Sequence, residues 1–325
     1  MAEELIALAS QFSQRMGGGV PVTVCAEPMG PGEEGFSGAK LLRLRCTYAD
    51  GGEATCIAKH TTWQERAVMQ TFTGQGRGFT PAAWDTQETS REDAWLLLED
   101  VSPSQPLPTD TLAWKAQVAQ ALAALHGDNL SRPGTPALLP PAQEDHWQRV
   151  ATALSLDHLQ RQCQQDGAFS RRYGGLLPQL YKRGERFVRE MLALSLEEAT
   201  LTVTHGDLQT IRGDHVRRFR DRLMVIDWGF TQRAPFYIDL ADFFTRQEAL
   251  LYWEALRRQG SPLSQASFLE RWQAASVYPG FIYLYPALMQ YLRGDDSRLE
   301  KLINLLLAGW PTVDGSTLAM VHLLL

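Results

Sequence analysis

The sequence contains few cysteines, and this scarcity limits the kinds of site it can build. Only four occur among 325 residues, Cys25, Cys46, Cys56 and Cys163, and no two of them form a Cys-x-x-Cys pair. A zinc site built on paired cysteines is therefore not indicated. The first three lie in apolar, strand-like segments, and we expect them to be buried thiols in a reducing compartment.

The sequence also lacks long apolar runs, a basic N-terminus and an excess of positive charge. No apolar run is long enough to cross a bilayer, and the acidic start MAEELIALAS is unlike a signal peptide. The net charge of −6 at pH 7 argues against a broad nucleic-acid surface. With 44 % hydrophobic residues the chain has ample material for a core. We expect a cytoplasmic globular protein that binds neither nucleic acid nor membrane, with its oligomeric state open.

One stretch, residues 201–244, contains most of the groups suited to chemistry. It reads LTVTHGDLQTIRGDHVRRFRDRLMVIDWGFTQRAPFYIDLADFF, and two apolar runs in it end in Asp207 and Asp227, each with glycine nearby. Such runs predict buried strands, and a carboxylate at the end of a buried strand is held rigidly. One carboxylate can accept a proton from a hydroxyl, while the other can hold Mg²⁺, which prefers oxygen ligands. We expect the two to share one small site.

This stretch resembles the catalytic and metal loops of the aminoglycoside phosphotransferase and choline kinase family, whose fold is protein-kinase-like. The matching motifs are His-Gly-Asp at 205–207, Ile-Asp-Trp-Gly at 226–229 and Asp-Leu-Ala at 239–241. Because His-Gly-Asp alone recurs by chance, the order and spacing of all three make the resemblance specific. It implies an ATP-dependent phosphotransferase that uses Mg²⁺ and a small-molecule hydroxyl as the acceptor.

The resemblance also implies a role for each matching residue. Asp207 would be the catalytic residue that accepts or orients the hydroxyl proton, and Asp227 would bind the metal. His205 would brace the catalytic loop through hydrogen bonds, and Asp239 would anchor the loop backbone after the metal site.

One position departs from the family pattern. Where the family has Asn, five residues after Asp207, this chain has Arg212. Asn there holds one of two Mg²⁺ ions, whereas Arg is always protonated and has no acceptor. Asp214, our candidate second metal residue, or His215 could take over; alternatively Arg212 contacts phosphate directly as part of the catalytic machinery. A third alternative is a catalytically impaired kinase-like protein that binds nucleotide or ligand as a sensor or scaffold.

The first hundred residues contain the strand signals. Residues 41–48 alternate apolar and polar side chains, and Asp-Gly-Gly at 50–52 predicts a tight turn into a return strand that ends near Lys59. The resemblance implies that Lys59 contacts the α- and β-phosphates of the nucleotide, and that Glu65 on the following helix pairs with it. The alternative for Glu65 is a surface residue favoured by the helix N-terminus.

Two further segments are candidates for nucleotide contacts. A phosphate loop is expected around Ser37 and Gly38, where glycine and serine let backbone N–H groups approach phosphate, although an ordinary turn is the alternative. The strand at 94–101, AWLLLEDV, matches the hinge strand of the family, so the backbone at Glu99 and Val101 would bind the adenine edge. ATP and GTP are not distinguished by these residues.

Together with the strand and helix patterns, the resemblance implies an α+β, bilobal protein-kinase-like fold. A small N-terminal antiparallel β-sheet lobe, residues 1–101, would bind nucleotide, and a larger, mostly helical C-terminal lobe, residues 102–325, would contain the catalytic loop and substrate pocket. The proline-rich segment at 102–108 marks the boundary. A protein kinase is disfavoured because His-Gly-Asp-Leu replaces His-Arg-Asp-Leu and no Ala-Pro-Glu segment follows. The acceptor, whether aminoglycoside, choline-like, sugar or another metabolite, stays open.

Overall fold

In the early part of the chain, segments in which apolar and polar residues alternate form strands. In the later part, segments whose apolar residues recur at helical spacing form helices. The computed structural model describes residues 2–29, 39–76, 78–85, 90–107, 112–131, 137–208 and 215–308. The strands are β1 (Thr23–Pro28), β2 (Leu41–Thr47), β3 (Glu53–Thr61), β4 (Ala83–Asp85), β5 (Ala94–Glu99), β6 (Gln105–Pro106), β7 (Leu201–Thr204), β8 (Val216–Phe219), β9 (Arg222–Val225) and β10 (Gln232–Pro235).

Helices make up most of the chain after residue 111. They are α1 (Ala2–Arg15), α2 (Trp63–Gly74), α3 (Leu112–Asp128), α4 (Glu144–Ala151), α5 (Asp157–Gln165), α6 (Gly167–Tyr173), α7 (Leu177–Ser195), α8 (Tyr237–Phe243), α9 (Ala249–Arg258), α10 (Gln265–Ala275), α11 (Tyr278–Ile282), α12 (Leu284–Tyr291) and α13 (Ser297–Ala308). A single π-helical turn, Thr152–Leu156, joins α4 to α5. Within the described residues, no helix is both long and apolar enough to cross a bilayer.

Contacts within the chain group it into two units. The first comprises Met1–Leu107 with Gly213–Thr231, and the second comprises Pro108–Arg212 with Gln232–Leu325. The hairpin β8–β9, which leads to Asp227, therefore packs with the first unit. The predicted division at residues 101 and 102 stays a prediction.

The first unit is built on a five-stranded antiparallel sheet with the order β1-β2-β3-β5-β4. The predicted hairpin is present as β2 and β3, with Leu41 opposite Lys59 and Thr47 opposite Glu53. Gly51 in its turn has φ +78°, which glycine adopts without steric cost. This register fixes Lys59 near the end of a central strand, where neighbouring strands hold the backbone on both sides.

The core of this sheet contains two of the three thiols that we expected to be buried. Cys46 and Cys56 are each 3 % exposed and pack with apolar side chains of α1, β2 and β5. The expectation was wrong for Cys25, which is exposed. Its strand, β1, lies at the edge of the sheet and buries little of its surface, so the apolar pattern there did not indicate burial.

Helix α2 is fixed to the sheet by polar contacts as well as by packing. The Thr62 hydroxyl caps its N-terminus by accepting the N–H of Glu65 at 3.5 Å. Arg66 is fully buried, and its guanidinium donates to Asp85 at 2.5 Å and to the carbonyls of Ser90 and Glu92 at 2.7 and 2.8 Å. These bonds set the rotation of the helix and with it the direction of the neighbouring Glu65.

The second unit is mainly helical, with a two-stranded antiparallel ladder at its centre. Strand β10 pairs with β7, Gln232 opposite Thr204 and Pro235 opposite Leu201. All four residues of β7 are buried, as the apolar run LTVT predicts. The ladder places the residues that follow β7 beside the start of α8.

A partly buried histidine on α4, His146, should make the second unit sensitive to acid. Burial, reinforced by Arg149 and opposed by Asp145, lowers the pKa of His146 from 6.5 to about 4. The unfolded chain therefore takes up this proton first, and the free energy of unfolding should fall as the pH drops from 6.5 toward 4. Between pH 7 and pH 4.5, we expect the free energy of unfolding of the His146→Gln variant to fall by about 2.5 kcal/mol less than that of the native protein. Urea unfolding at both pH values measures this, and equal losses would contradict it.

Candidate active site

The first unit contains a cluster of three charged side chains, of which Lys59 and Glu65 are buried and Asp227 is partly exposed. Lys59 is 6 % exposed, and its Nζ lies 2.8 Å from Glu65 Oε1 and 2.7 Å from Asp227 Oδ1. The three residues come from β3, α2 and the turn after β9. Burial is the largest single influence on the pKa of Lys59 and lowers it, but the two carboxylates together outweigh burial and raise it above its ordinary value. The ammonium therefore stays charged, with Glu65 fixing its direction.

Asp227 has an unusual backbone conformation. Its φ and ψ are +60° and 66°, the left-handed region that non-glycine residues rarely occupy. Such a conformation costs free energy and persists only where neighbouring structure holds it, which occurs often at functional sites. The adjacent Trp228 provides that support, since it is fully buried, donates Nε1–H to the carbonyl of Val225 at 3.2 Å and packs edge-on against Phe72 at 4.9 Å.

Gly229 keeps one side of the charged cluster free of a side chain. A Cβ at this position would lie 3.4 Å from Asp227 Oδ1, 3.7 Å from Glu65 Oε2 and 3.8 Å from Lys59 Nζ. Glycine therefore leaves space directly beside all three charged groups, where a charged ligand can approach.

The candidate hinge residues lie at the end of β5. The backbone N–H of Glu99 donates to Ala82 at 2.8 Å, and its carboxylate accepts the Ala82 N–H at 3.3 Å and pairs with Arg222. Val101 is 9 % exposed and packs in the same apolar cluster as Phe219. Their predicted contact with adenine stays a prediction. Four other candidates, Ser37, Gly38, Arg212 and Asp214, lie outside the described residues.

In the second unit, the loop after β7 is held by one buried carboxylate. Asp239, in the first turn of α8, is fully buried and accepts the backbone N–H of His205 at 2.8 Å and of Gly206 at 2.7 Å. His126 Nε2 lies 3.2 Å from the same carboxylate. Gly206 has φ +77°, a conformation that suits glycine. Asp239 therefore anchors the backbone of the loop that follows β7. Its predicted anchoring of the loop after the metal site stays a prediction.

Side chains on either side of the loop fix it further. His205 is fully buried, and its Nδ1 accepts the backbone N–H of Asp207 at 3.1 Å, so the proton of a neutral ring lies on Nε2. Tyr278 donates its hydroxyl to the carbonyl of Gly206 at 2.7 Å. These contacts leave His205 as a brace for the loop, the role implied by the resemblance.

The Asp207 side chain is joined to a second aspartate through one phenol. The hydroxyl of Tyr283 lies 2.8 Å from Asp207 Oδ1 and 2.7 Å from Asp242 Oδ2, and the latter oxygen also accepts the N–H of Leu208 at 2.5 Å. Burial, followed by the charges of Asp242 and Asp207, raises the pKa of Tyr283 well above its ordinary value, so the phenol keeps its hydrogen. The phenol has a single hydroxyl hydrogen, so it can donate a full hydrogen bond to only one of the two carboxylates at a time.

Sequence reasoning offered Tyr283 and Asp242 only as core or substrate-pocket candidates and did not connect either of them with Asp207. Asp242 follows Asp239 by three residues on α8, a spacing that places two side chains on one face of a helix, and this signal could have identified it. Nothing in the sequence near Tyr283 marks it, because it reaches Asp207 only through the tertiary packing. Asp207 and Asp227 belong to different units, and their sharing of one site stays a prediction.

Comparison with known proteins identifies the fold. No protein-family model and no curated protein matches the sequence, but solved structures match it over nearly its whole length. A choline kinase from Cryptosporidium parvum Iowa II matches with TM-score 0.60 at 12 % identity, covering 99 % of this chain and 98 % of that one.

Two further small-molecule phosphotransferases are also similar in structure. An amicoumacin kinase, solved with AMP-PNP, Ca²⁺ and Ami, matches with TM-score 0.54 at 13 % identity over 90 % of this chain and 91 % of that one. A spectinomycin phosphotransferase, solved with ADP and spectinomycin, matches with TM-score 0.50 at 13 % identity over 94 % of both chains. The chain therefore has the kinase-like fold of these three structures, with an N-terminal five-stranded antiparallel sheet followed by a mostly helical region.

Proposed function

We propose that this protein is an ATP-dependent phosphotransferase that moves the γ-phosphoryl group to a hydroxyl of a small molecule. The observation that supports it most directly is the buried Lys59, held between Glu65 and Asp227. A fixed, permanently charged ammonium beside a carboxylate suits a polyphosphate and its cation. The similar structures solved with ADP and with AMP-PNP and Ca²⁺ support the same ligand class.

Most of the proposed nucleotide and metal contacts belong to the first unit. Lys59 binds the α- and β-phosphates, and Glu65 keeps its ammonium in place. Asp227 fits a hard cation such as Mg²⁺, because it supplies carboxylate oxygens and its side chain is 34 % exposed. When bound, Mg²⁺ offsets negative charge on the phosphates. Glu99 and Val101 would contact the base through their backbone, and Ser37, Gly38, Arg212 and Asp214 are proposed phosphate or metal contacts.

In the second unit, Asp207 would accept or orient the proton of the acceptor hydroxyl. It is the group on the loop suited to this task because it is 9 % exposed and its backbone is fixed by Asp239 and His205. Tyr283 would hold the carboxylate in one orientation through its hydrogen bond. Catalysis of phosphoryl transfer depends mainly on such positioning and on electrostatic stabilisation. The four cysteines are free, which suits the cytoplasmic location proposed for the reaction.

The test is ATP consumption with Mg²⁺ against a panel of hydroxyl acceptors: aminoglycosides, choline and ethanolamine, sugars, and homoserine. We expect ADP formation that depends on one acceptor class. Arg212 in place of the usual Asn favours one other candidate function, a nucleotide-binding sensor or scaffold. Mg²⁺-dependent ATP binding without turnover on any acceptor would support that alternative, and absence of ATP binding would contradict both.

A further inference from the structure

His215 is held next to Asp227 by the backbone of the β8–β9 hairpin. Val216 pairs with Val225 in the ladder, and the carbonyl of His215 accepts the N–H of Ile226 at 2.9 Å. The ladder therefore extends by one residue beyond β8 and places His215 across from the residue that precedes Asp227. All of these residues belong to the first unit.

The two side chains face each other across a short gap. His215 Nε2 lies 3.6 Å from Asp227 Oδ2, which is longer than a hydrogen bond. The other carboxylate oxygen, Oδ1, is the one that contacts Lys59. Imidazole nitrogen and carboxylate oxygen each lie roughly 2.0–2.2 Å from a shared cation, so two neighbouring ligands are on the order of 3–3.5 Å apart. The observed gap is close to that spacing.

We propose that His215 Nε2 and Asp227 Oδ2 bind the same nucleotide-associated cation. His215 thereby supplies the second protein ligand that Arg212, in place of Asn, cannot supply. This inference rests on the proposed function, because the described residues contain no cluster of three or more His, Cys, Asp or Glu side chains that could hold an ion unaided. The phosphates of the nucleotide would complete the coordination.

The imidazole ligand changes which cation the site prefers. Mg²⁺ is a hard ion that favours oxygen, whereas imidazole suits first-row transition-metal ions. A site with one nitrogen and one carboxylate ligand should therefore discriminate against Mg²⁺ more strongly than a site with Asn and Asp. The preference for Mn²⁺ over Mg²⁺ should depend on His215.

The experiment uses the full chain with AMP-PNP and Mn²⁺ as the probe. Pulsed electron paramagnetic resonance detects the magnetic coupling between Mn²⁺ and a directly bound imidazole nitrogen. We expect this coupling in the native complex and in His158→Gln, a matched control whose imidazole contacts Arg161 on α5. In His215→Gln the coupling should vanish, and the affinity for Mn²⁺ should fall by about 10- to 100-fold. The affinity for Mg²⁺ should change less.

Two results would overturn the inference in distinguishable ways. If Mn²⁺ binds with AMP-PNP, is lost in Asp227→Asn, but shows no nitrogen coupling that depends on His215, the metal site stands and the role of His215 is wrong. If neither Mn²⁺ nor Mg²⁺ binds with the nucleotide, the proposed function fails together with the inference. Circular dichroism of each variant verifies that the substituted chain is folded.

Discussion

Asp207→Asn is expected to lower acceptor-dependent ADP formation by about 10²- to 10⁴-fold, because the amide cannot accept the hydroxyl proton. The substitution keeps the size of the side chain and an oxygen that can accept the Tyr283 hydrogen bond, so the loop should retain its conformation. ATP affinity, measured by calorimetry, should stay nearly unchanged because Asp207 is not among the proposed phosphate contacts. Turnover equal to that of the native protein would contradict the role of Asp207.

Two matched variants separate the chemistry from the effect of lost charge. Asp221→Asn makes the same carboxylate-to-amide change in the exposed β8–β9 turn and should leave turnover unchanged. Tyr283→Phe removes only the hydroxyl that contacts Asp207, and a lost hydrogen bond to a charged group predicts about a tenfold decrease in kcat. If kcat of the Tyr283→Phe variant equalled that of the native protein, the phenol would not position Asp207.

Asp239→Ala should cost about 3–5 kcal/mol of the free energy of unfolding, the usual effect of removing one partner from a buried charged network. The carboxylate is fully buried and accepts hydrogen bonds from two backbone N–H groups, with His126 beside it. After the substitution these donors would stay buried without this acceptor, and each unsatisfied donor carries a desolvation penalty. Urea unfolding, followed by circular dichroism, measures the loss.

The control for this variant is Glu254→Ala. Glu254 pairs with Arg257 on the surface of α9, and an exposed pair of this kind contributes at most about 1 kcal/mol. If Asp239→Ala destabilised the protein no more than Glu254→Ala, Asp239 would not be the structural anchor of the loop. Asp239→Asn should cause an intermediate loss of stability, because its side chain keeps one acceptor oxygen and replaces the other with an NH2 group, which cannot accept a hydrogen bond.

The sequence predicted those parts of the fold that depend on local pattern. The β2–β3 hairpin follows from alternation and an Asp-Gly-Gly turn, which act over a few neighbouring residues. Lys59 and Glu65 are six residues apart on adjacent elements, and the structure brings them to 2.8 Å. The kinase-like fold was predicted from the order of the three motifs, that is, from resemblance to a known family. Local patterns in this chain would not by themselves have predicted it.

Features that depend on distant packing were not predictable. Burial of Cys25 was expected from its apolar surroundings, yet the position of β1 at the edge of the sheet exposes it. Tyr283 approaches Asp207 from 76 residues away in sequence, and no periodicity encodes such a contact. The hairpin register, which no local pattern encodes, places His215 next to Asp227. Asp214 lies outside the described residues, so the choice between the two as metal ligands stays open.

The convergence of three chain segments on Asp239 has a consequence for the order of folding. His126 lies 113 residues and His205 lies 34 residues from Asp239 in sequence, so both contacts close long loops and should form late. The amide hydrogens of His205 and Gly206 should then exchange with solvent only when α3 and α8 separate, at rates near those of the slowest amides in the second unit. A nascent chain would acquire an ordered Asp207 only as the helices finish docking, so incompletely folded molecules would lack the proposed catalytic carboxylate in its fixed position.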